Sequence, residues 1–394
     1  MKILQVIPYY AWPYGGPVRV VYELSHCLAR KGHEISIYTT NVGKTGRLAE
    51  DEKIVMDKAI DVKYFDCINN WIAERGKLHL SSQMRNALKK NIPDFDLVHI
   101  HEPRGIPSIY AGHFANKFGI PYIIQAHGAS PRVLAGQSSI FKLCKIGFDR
   151  VLGHNLLMGA SHVIALTETE ALQYSQLDLP ERNITVIPNG INVLDYRMQP
   201  KPGVFRLLHG IPKDQKLILF LGRIHKIKGI ELLIEAFSDV LKVRTDVVLV
   251  LVGPDDGNLE STLNLIREKN ITDKVIYPGP IFGEEKILAY FDADIYVLPS
   301  VYETFPVTVL EAMACGTPTV VTDRCGIAKI VEQYGSVVKY DKEDLSATIL
   351  AMLDNHDIVK GKAYLGQMKV IENYGWDNIA NQYENVYDLC INKI

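Results

Sequence analysis

The sequence predicts an α/β protein built from two parallel-sheet domains in tandem. Three observations carry that expectation. The 394 residues exceed one ordinary core. Short β-branched runs alternate with helix-sized amphipathic stretches. The alternation then restarts near residue 200.

MKILQVIP opens the chain as a first strand; it carries one Lys, and no small-residue cleavage site follows, so it does not read as a secretion signal. PVRVVYELSHCLARKG has apolar residues at helical spacing and Gly32 at its end. HEISIYTT, DLVHIH, PYIIQAH and HVIALT complete five strands in the first half. KLILFLGRI, VVLVLVG, VIYPG, DIYVLPS and TPTVVTD make five more in the second. PKPG at 200–203 reads as the linker, which sets the domains at 1–198 and 199–375. The amphipathic stretch at 376–392 is expected to be a helix that returns to the first domain. Two such sheets would face a central cleft at their strand C-terminal edges, where open α/β sheets bind ligands.

Composition bounds the function. The chain is 47% hydrophobic and 22% charged, as expected of a globular protein, and no apolar run reaches the roughly 18 residues that span a bilayer. Its six cysteines are scattered, without CxxC or zinc spacing, and read as reduced, mostly buried thiols of a cytosolic protein. A net charge of −2 excludes a broadly basic nucleic-acid binder. Residues 1–199 carry 22 Lys and Arg against 18 Asp and Glu, and the remainder 21 against 27. Residues 103–148 contain Arg104, Lys117, Arg132, Lys142 and Lys145 and no acid. This basic stretch includes the apolar SSIFKLCKIGF, so it is read either as a peripheral contact with anionic lipid or as a solvated helix and loop.

The most informative stretch is PSVYETFPVTVLEAMACGTPTVV. Glu303 and Glu311 flank a short loop and a helix start. One carboxylate suits a sugar, the other a ribose, and the free N–H groups of the helix start suit phosphates. A retaining glycosidase needs its carboxyls about 5–5.5 Å apart. Eight residues of continuous helix would separate these two by about 12 Å, which gives them separate tasks. Upstream, Arg223 and Lys228 in FLGRIHKIKG, with Gly222 and Gly229 beside them, suit a diphosphate. Gly15 and Gly16 follow the first strand and allow close backbone approach to an anion. The GxGxxG spacing is absent, and the second strand ends in TTN without a ribose-binding acid, which disfavours a dinucleotide oxidoreductase. His127 ends a strand and is read as a donor to a sugar hydroxyl. His99 and His101 are read as packing residues. Glu102 and Arg104 are candidates for the acceptor side.

GRIHKIKG, LVGP, DADIYVLPSVYETFPVTVLEAMACGTPTVVTD, GGPVRVVYELSHCLARKGHEISIYTT and TVIPNGIN together resemble the large retaining glycosyltransferase family of the GT-B fold. That family includes sucrose synthases, bacterial mannosyltransferases and capsule or lipopolysaccharide glycosyltransferases. The resemblance implies a hexose moved from a nucleoside diphosphate sugar to a hydroxyl of a glycan or lipid-linked glycan, in cell-surface polysaccharide or glycolipid synthesis. It implies that Glu311 accepts from the ribose, Glu303 positions the donor sugar, and Arg223 and Lys228 neutralise the leaving diphosphate. Gly15 and Gly16 would close over the phosphates, His127 would contact the sugar, and Pro280 and Ile281 would meet the base. Thr304, Phe305, Pro306 and Val307 would line the donor site. No cofactor is expected: the donor, with uridine or guanosine as base, is a substrate. Arg223 with Lys228 could replace a metal cation, so activity without metal is expected, at a cytoplasmic location with possible peripheral contact at the inner face of the plasma membrane. Two departures stand out. The family commonly has Gly at the position of Pro306 and Asp at that of Asn192. Proline suits a first helical position but offers no N–H to a sugar hydroxyl. A sugar-nucleotide 2-epimerase and a non-catalytic nucleotide-sugar-binding protein are the rival readings.

Overall fold

A computed structural model describes residues 1–43, 46–69, 73, 79–128, 152–177, 179–196 and 200–392. The chain divides into two compact units, Met1–Asn189 with Trp376–Ile394, and Gly190–Gly375. The linker reading put the division at 198/199 instead, and residues 197–199 lie outside the described residues. The stretch after Asn189 goes with the second unit because Ile191 donates its N–H to the Tyr374 carbonyl (2.8 Å) and bridges to Gly375.

The first unit holds a seven-stranded sheet in the order Ile60–Phe65, Glu34–Thr40, Lys2–Tyr9, Leu97–His101, Tyr122–Gln125, His162–Ala165, Ile184–Val186. Every pairing in it is parallel. Lys2–Tyr9 is buried on both faces. Ile3 and Ile7 point into one core layer and Leu4 and Val6 into the other, as the two-residue side-chain period requires. Helix Gly16–Arg30 buries Val18, Val21, Leu24 and Leu28 on one stripe. Helix Trp376–Ile391 buries Trp376, Ile379, Tyr383, Val386, Tyr387 and Cys390 in the same layer as Ile3.

The second unit holds a six-stranded parallel sheet in the order Val275–Gly279, Val247–Val252, Lys216–Leu221, Ile295–Leu298, Thr319–Thr322, Ser336–Val338. Residues 247–252 are all buried, so they read as a continuous apolar run rather than an alternating one.

Among the described residues of the two large sheets, three strands lie outside the sequence reading. Ile60–Phe65 and Ser336–Val338 are half-buried edge strands, and Ile184–Val186 falls in the stretch read as the domain junction. In both sheets the strand order reverses beside the first strand, between Lys2–Tyr9 and Leu97–His101 and between Lys216–Leu221 and Ile295–Leu298. The loops leaving the carboxyl ends of those strands are where such sheets hold ligands.

Candidate active site

In the second unit, the loops after Leu221 and Leu298 flank the reversal point and touch through their backbones. Lys226–Lys228 forms a single 3₁₀ turn that Gly229 ends in the left-handed region, φ 67°. A Cβ at Gly229 would lie 2.0 Å from the Pro299 carbonyl oxygen, so only glycine fits both the turn and the approach. The Val301 N–H donates to the Ile227 carbonyl at 2.8 Å. This lock brings Lys228 against Glu303. The Lys228 ammonium donates to Glu303 Oε1, and each side chain is only 14% exposed. Glu303 is itself tied down: its carbonyl accepts from Gly326 N–H at 2.8 Å, and a Cβ at Gly326 would meet the Thr304 carbonyl at 2.0 Å.

Glu311 lies on helix Val307–Ala314 and is 4% exposed. Its Oε1 accepts from Lys286 Nζ at 2.7 Å and its Oε2 from the Tyr290 hydroxyl at 3.1 Å. Burial, and then the Glu311 charge, push the Tyr290 hydroxyl well above its ordinary range, so it stays a donor. A buried carboxylate needs such partners. Lys286 and Tyr290 were not anticipated, although their four-residue spacing on helix Gly283–Asp292 puts them on one face.

The two glutamates are thus not the ends of one continuous helix. The helix starts at Val307, and Glu303 sits in the loop before it, bridged to Cys325. The separation expected from helical rise therefore does not apply. Their separate cations, Lys228 and Lys286, are what distinguish them. Pro306 is also one place earlier than expected. With φ −76° and ψ 106° it is the extended N-cap, and no side chain caps the helix. Thr308 on the first turn meets the Tyr296 hydroxyl at 2.9 Å.

Arg223 is set apart from Lys228. It pairs with Asp256 and is 59% exposed. Gly222 neighbours Gly253, where a Cβ would lie 1.8 Å from the Gly222 carbonyl oxygen. Phe305 and Ile281 are buried, Pro280 is exposed, and Thr304 donates to the Tyr302 hydroxyl at 3.3 Å.

In the first unit, Gly15 (φ 81°) and Gly16 open helix Gly16–Arg30, and a Cβ at either would meet nothing within 4 Å. His127 follows Tyr122–Gln125 in the left-handed region, φ 51°, with Gly128 at φ 82° after it. Left-handed backbone is uncommon for a non-glycine residue and marks a held turn. Glu170 holds it: its two oxygens accept from Gly128 N–H (3.3 Å) and Leu166 N–H (2.7 Å), and burial pushes this carboxyl up to about 7. Glu102 is also left-handed, φ 57°, with its N–H donating to the Gln125 carbonyl at 3.1 Å, while Arg104 is half-buried.

His101 does more than pack. Its Nδ1 lies 2.8 Å from His127 Nε2, its Nε2 lies 3.1 Å from Gln5 Oε1, and Gln5 Nε2 donates to Ser25 Oγ at 2.9 Å. Burial pushes His127 down to about 3 and His101 well below its ordinary value, so both rings are neutral. The amide orientation of Gln5 makes His101 Nε2 the protonated nitrogen, and His127 Nε2–H then donates to His101 Nδ1. His127 Nδ1, buried with no partner among the described residues, carries a lone pair. The reverse arrangement would bury an unpaired N–H, which is costlier. In this arrangement Nδ1 is the unprotonated nitrogen of the His127 ring.

Of the basic stretch 103–148, residues 129–148, including Arg132, Lys142 and Lys145, lie outside the described residues. Among the described residues no helix is long and apolar enough to cross a membrane, and no cluster of three His, Cys, Asp or Glu is spaced to hold a metal ion. Cys27, Cys67, Cys315, Cys325 and Cys390 are free thiols.

Comparison with known proteins matches residues 206–366 to the family described as glycosyl transferases group 1, and residues 14–193 to glycosyltransferase family 4. An uncharacterised glycosyltransferase of Methanocaldococcus jannaschii is 27% identical, with 99% of each chain covered. The N-acetyl-alpha-D-glucosaminyl L-malate synthase of Bacillus anthracis is 25% identical over 95% of this chain and 93% of its own. Among solved structures, Anabaena HepE in complex with UDP-glucose superposes with a TM-score of 0.77 at 19% identity, over 99% of this chain and 100% of the other.

Proposed function

The chain belongs to the glycosyl transferases of group 1, with the GT-B fold, and from that premise we propose that it moves a hexose from a nucleoside diphosphate sugar to a hydroxyl of a glycan or lipid-linked glycan, with retention at the anomeric carbon. The observation that carries this reading is the pair of carboxylates at the reversal point of the second sheet, Glu311 buried and Glu303 mostly buried, each with its own cation. A hydrolase pair would share one reacting carbon, whereas these two suit two parts of one extended ligand.

In this reading Glu311 accepts from the ribose, pre-aimed by Lys286 and Tyr290. Lys228 exchanges its bond to Glu303 for the departing diphosphate, and Glu303, so released, orients the donor sugar. Arg223 exchanges Asp256 for the same diphosphate. Gly222, Thr304, Phe305, Pro306 and Val307 line the donor site, and Pro280 and Ile281 meet a uracil or guanine base. Gly15 and Gly16 are assigned to the phosphates, His127 to a sugar hydroxyl through its Nδ1 lone pair, and Glu102 and Arg104 to the acceptor.

The bond from the anomeric carbon to the phosphate oxygen breaks as the acceptor oxygen adds on the same face, and the acceptor proton passes to the departing phosphate oxygen. The protein supplies position and charge stabilisation rather than a nucleophile. Two cations at the diphosphate remove the need for a metal ion, and no cofactor takes part. UDP-glucose in the HepE structure supports a nucleotide-sugar donor. The nucleotide sugar and the free thiols suit a cytoplasmic location, and the basic stretch 103–148 suits peripheral contact with the inner face of the plasma membrane.

The test is binding and slow hydrolysis across UDP-, GDP- and ADP-sugars, with and without EDTA. One nucleotide bound tightly, with its sugar released at the same rate in EDTA, is the expected result. Binding without release, even with mixed glycan acceptors present, overturns the transferase reading. Loss of turnover in EDTA that a divalent ion restores overturns metal independence.

A further inference from the structure

The first unit contains a pocket of about 480 Å³ that none of the assigned roles uses. We infer that it is a binding site for a pyranose ring of the acceptor glycan, stacked on Trp12; this rests on the transferase reading and names the acceptor's chemistry. The pocket lies directly after the first strand, at the carboxyl edge of its sheet. Trp12 and Tyr14 from the turn Trp12–Tyr14 and Tyr22 from the next helix supply its aromatic lining, and Asp51, Glu52 and Lys53 its charged lining. Its volume falls within the roughly 300–1,000 Å³ of small-molecule sites.

The walls are held open. The Tyr14 ring stacks on Tyr9 at 4.4 Å and its hydroxyl donates to the Val42 carbonyl at 3.2 Å. Trp12 and Tyr22 are inclined at 60° with centroids 5.0 Å apart, and Tyr22 rests on His26 at 4.3 Å. At Ile54, which also lines the pocket, the N–H donates to the Tyr64 hydroxyl and that hydroxyl to the Tyr10 carbonyl, both at 3.0 Å. An indole 51% exposed beside such a fixed concavity is a binding feature rather than a stray surface residue.

The lining selects the ligand. A pyranose offers an apolar C–H face to an aromatic ring and hydroxyl donors at its rim. Asp51 and Glu52 are acceptors for such hydroxyls. Lys53 is paired with Glu50 at 2.6 Å, so the rim is acidic on balance and disfavours a phosphate or a nucleotide. Three charged residues among the twelve that line the pocket disfavour an acyl chain.

The experiment is saturation-transfer NMR on the full chain with methyl α-D-mannopyranoside, methyl α-D-glucopyranoside, methyl β-D-galactopyranoside and maltose, beside UDP and decanoate. Transfer to the ring C–H protons of at least one glycoside is expected. Trp12→Ala should weaken that binding roughly tenfold while Trp12→Phe largely retains it, and Asp51→Ala should also weaken it. UDP binding should be unchanged in all three. No glycoside binding to a chain that binds UDP overturns the pocket and leaves the transferase reading standing, as does capture of decanoate in place of every glycoside. Glycoside binding that depends on Trp12, in a chain that binds no nucleotide, keeps the pocket and removes the donor reading.

Discussion

His101 Nδ1 and His127 Nε2 lie 2.8 Å apart, and this contact connects a buried chain running from Ser25 through Gln5 to the left-handed turn at His127. The chain keeps one protonation pattern on a neutral imidazole.

Replacing His101 by Phe leaves His127 Nε2–H buried without an acceptor, which costs about 1–3 kcal/mol. A lower unfolding midpoint is therefore expected, together with a fall in turnover larger than any change in nucleotide affinity. Gln5→Leu should act in the same direction and Gln5→Glu should change the pH profile. Equal effects on nucleotide affinity and turnover would remove His101 as a positioning residue.

Stability should fall in mild acid. His99, His101 and His127 are all held below the ordinary histidine value of 6.5, burial being the largest cause for each. The unfolded chain takes up those protons first, so stability is full above about pH 6.5 and is lost as the pH falls toward 3. Urea midpoints between pH 7 and 5 should decline, and less steeply in His99→Phe.

Glu170 acts with the opposite sign. Its carboxyl is pushed up from 4.5 to about 7 by burial, so the folded chain keeps that proton longer than the unfolded one. Its contribution is complete below about pH 4.5 and is lost as the pH rises to about 7. Below pH 6.5 three histidines outweigh one carboxyl. Up to about pH 7 the histidines, still partly protonated in the unfolded chain, outweigh it as well, so the carboxyl blunts the rise of stability with pH and Glu170→Gln should steepen that rise. The variant should be less stable overall, because one amide oxygen cannot accept from both Leu166 and Gly128.

Lys228→Ala should reduce turnover by roughly 2–4 kcal/mol of transition-state stabilisation. It should also destabilise the fold, because Glu303 loses its partner in a mostly buried place. The double variant Lys228→Met with Glu303→Gln separates the two effects: stability should recover and turnover should not. Turnover restored by the double variant would reduce the pair to a structural role.

Tyr290→Phe removes one of the two donors that aim Glu311. Nucleotide affinity should weaken by about 1 kcal/mol with turnover at saturation little changed. Glu311→Gln should weaken it further. Calorimetric titration with UDP and GDP measures both, and a change confined to turnover would remove Glu311 from the ribose.

The alternation of buried strands and amphipathic helices, and the loops that carry Glu303, Lys228 and Gly15, could be read from the chain because such patterns depend on residues two to four apart. Weak edge strands such as Ile60–Phe65 could not, since half-buried residues carry little periodic signal. Nor could the partners. Lys228 and Glu303 are 75 residues apart, Glu311 and Tyr290 are 21 apart, and His101 and His127 are 26 apart. Local pattern says that a loop leaves a strand; the order of strands in the sheet says which other loop it meets. Reversal of strand order beside Lys216–Leu221 brings the Lys228 turn against the Glu303 loop, and burial then requires each charge brought there to find a partner. The residue types that could bind a sugar nucleotide were thus determined by sequence, whereas the pairing of each carboxylate with its cation, and the proton that His127 lacks at Nδ1, were decided by tertiary structure.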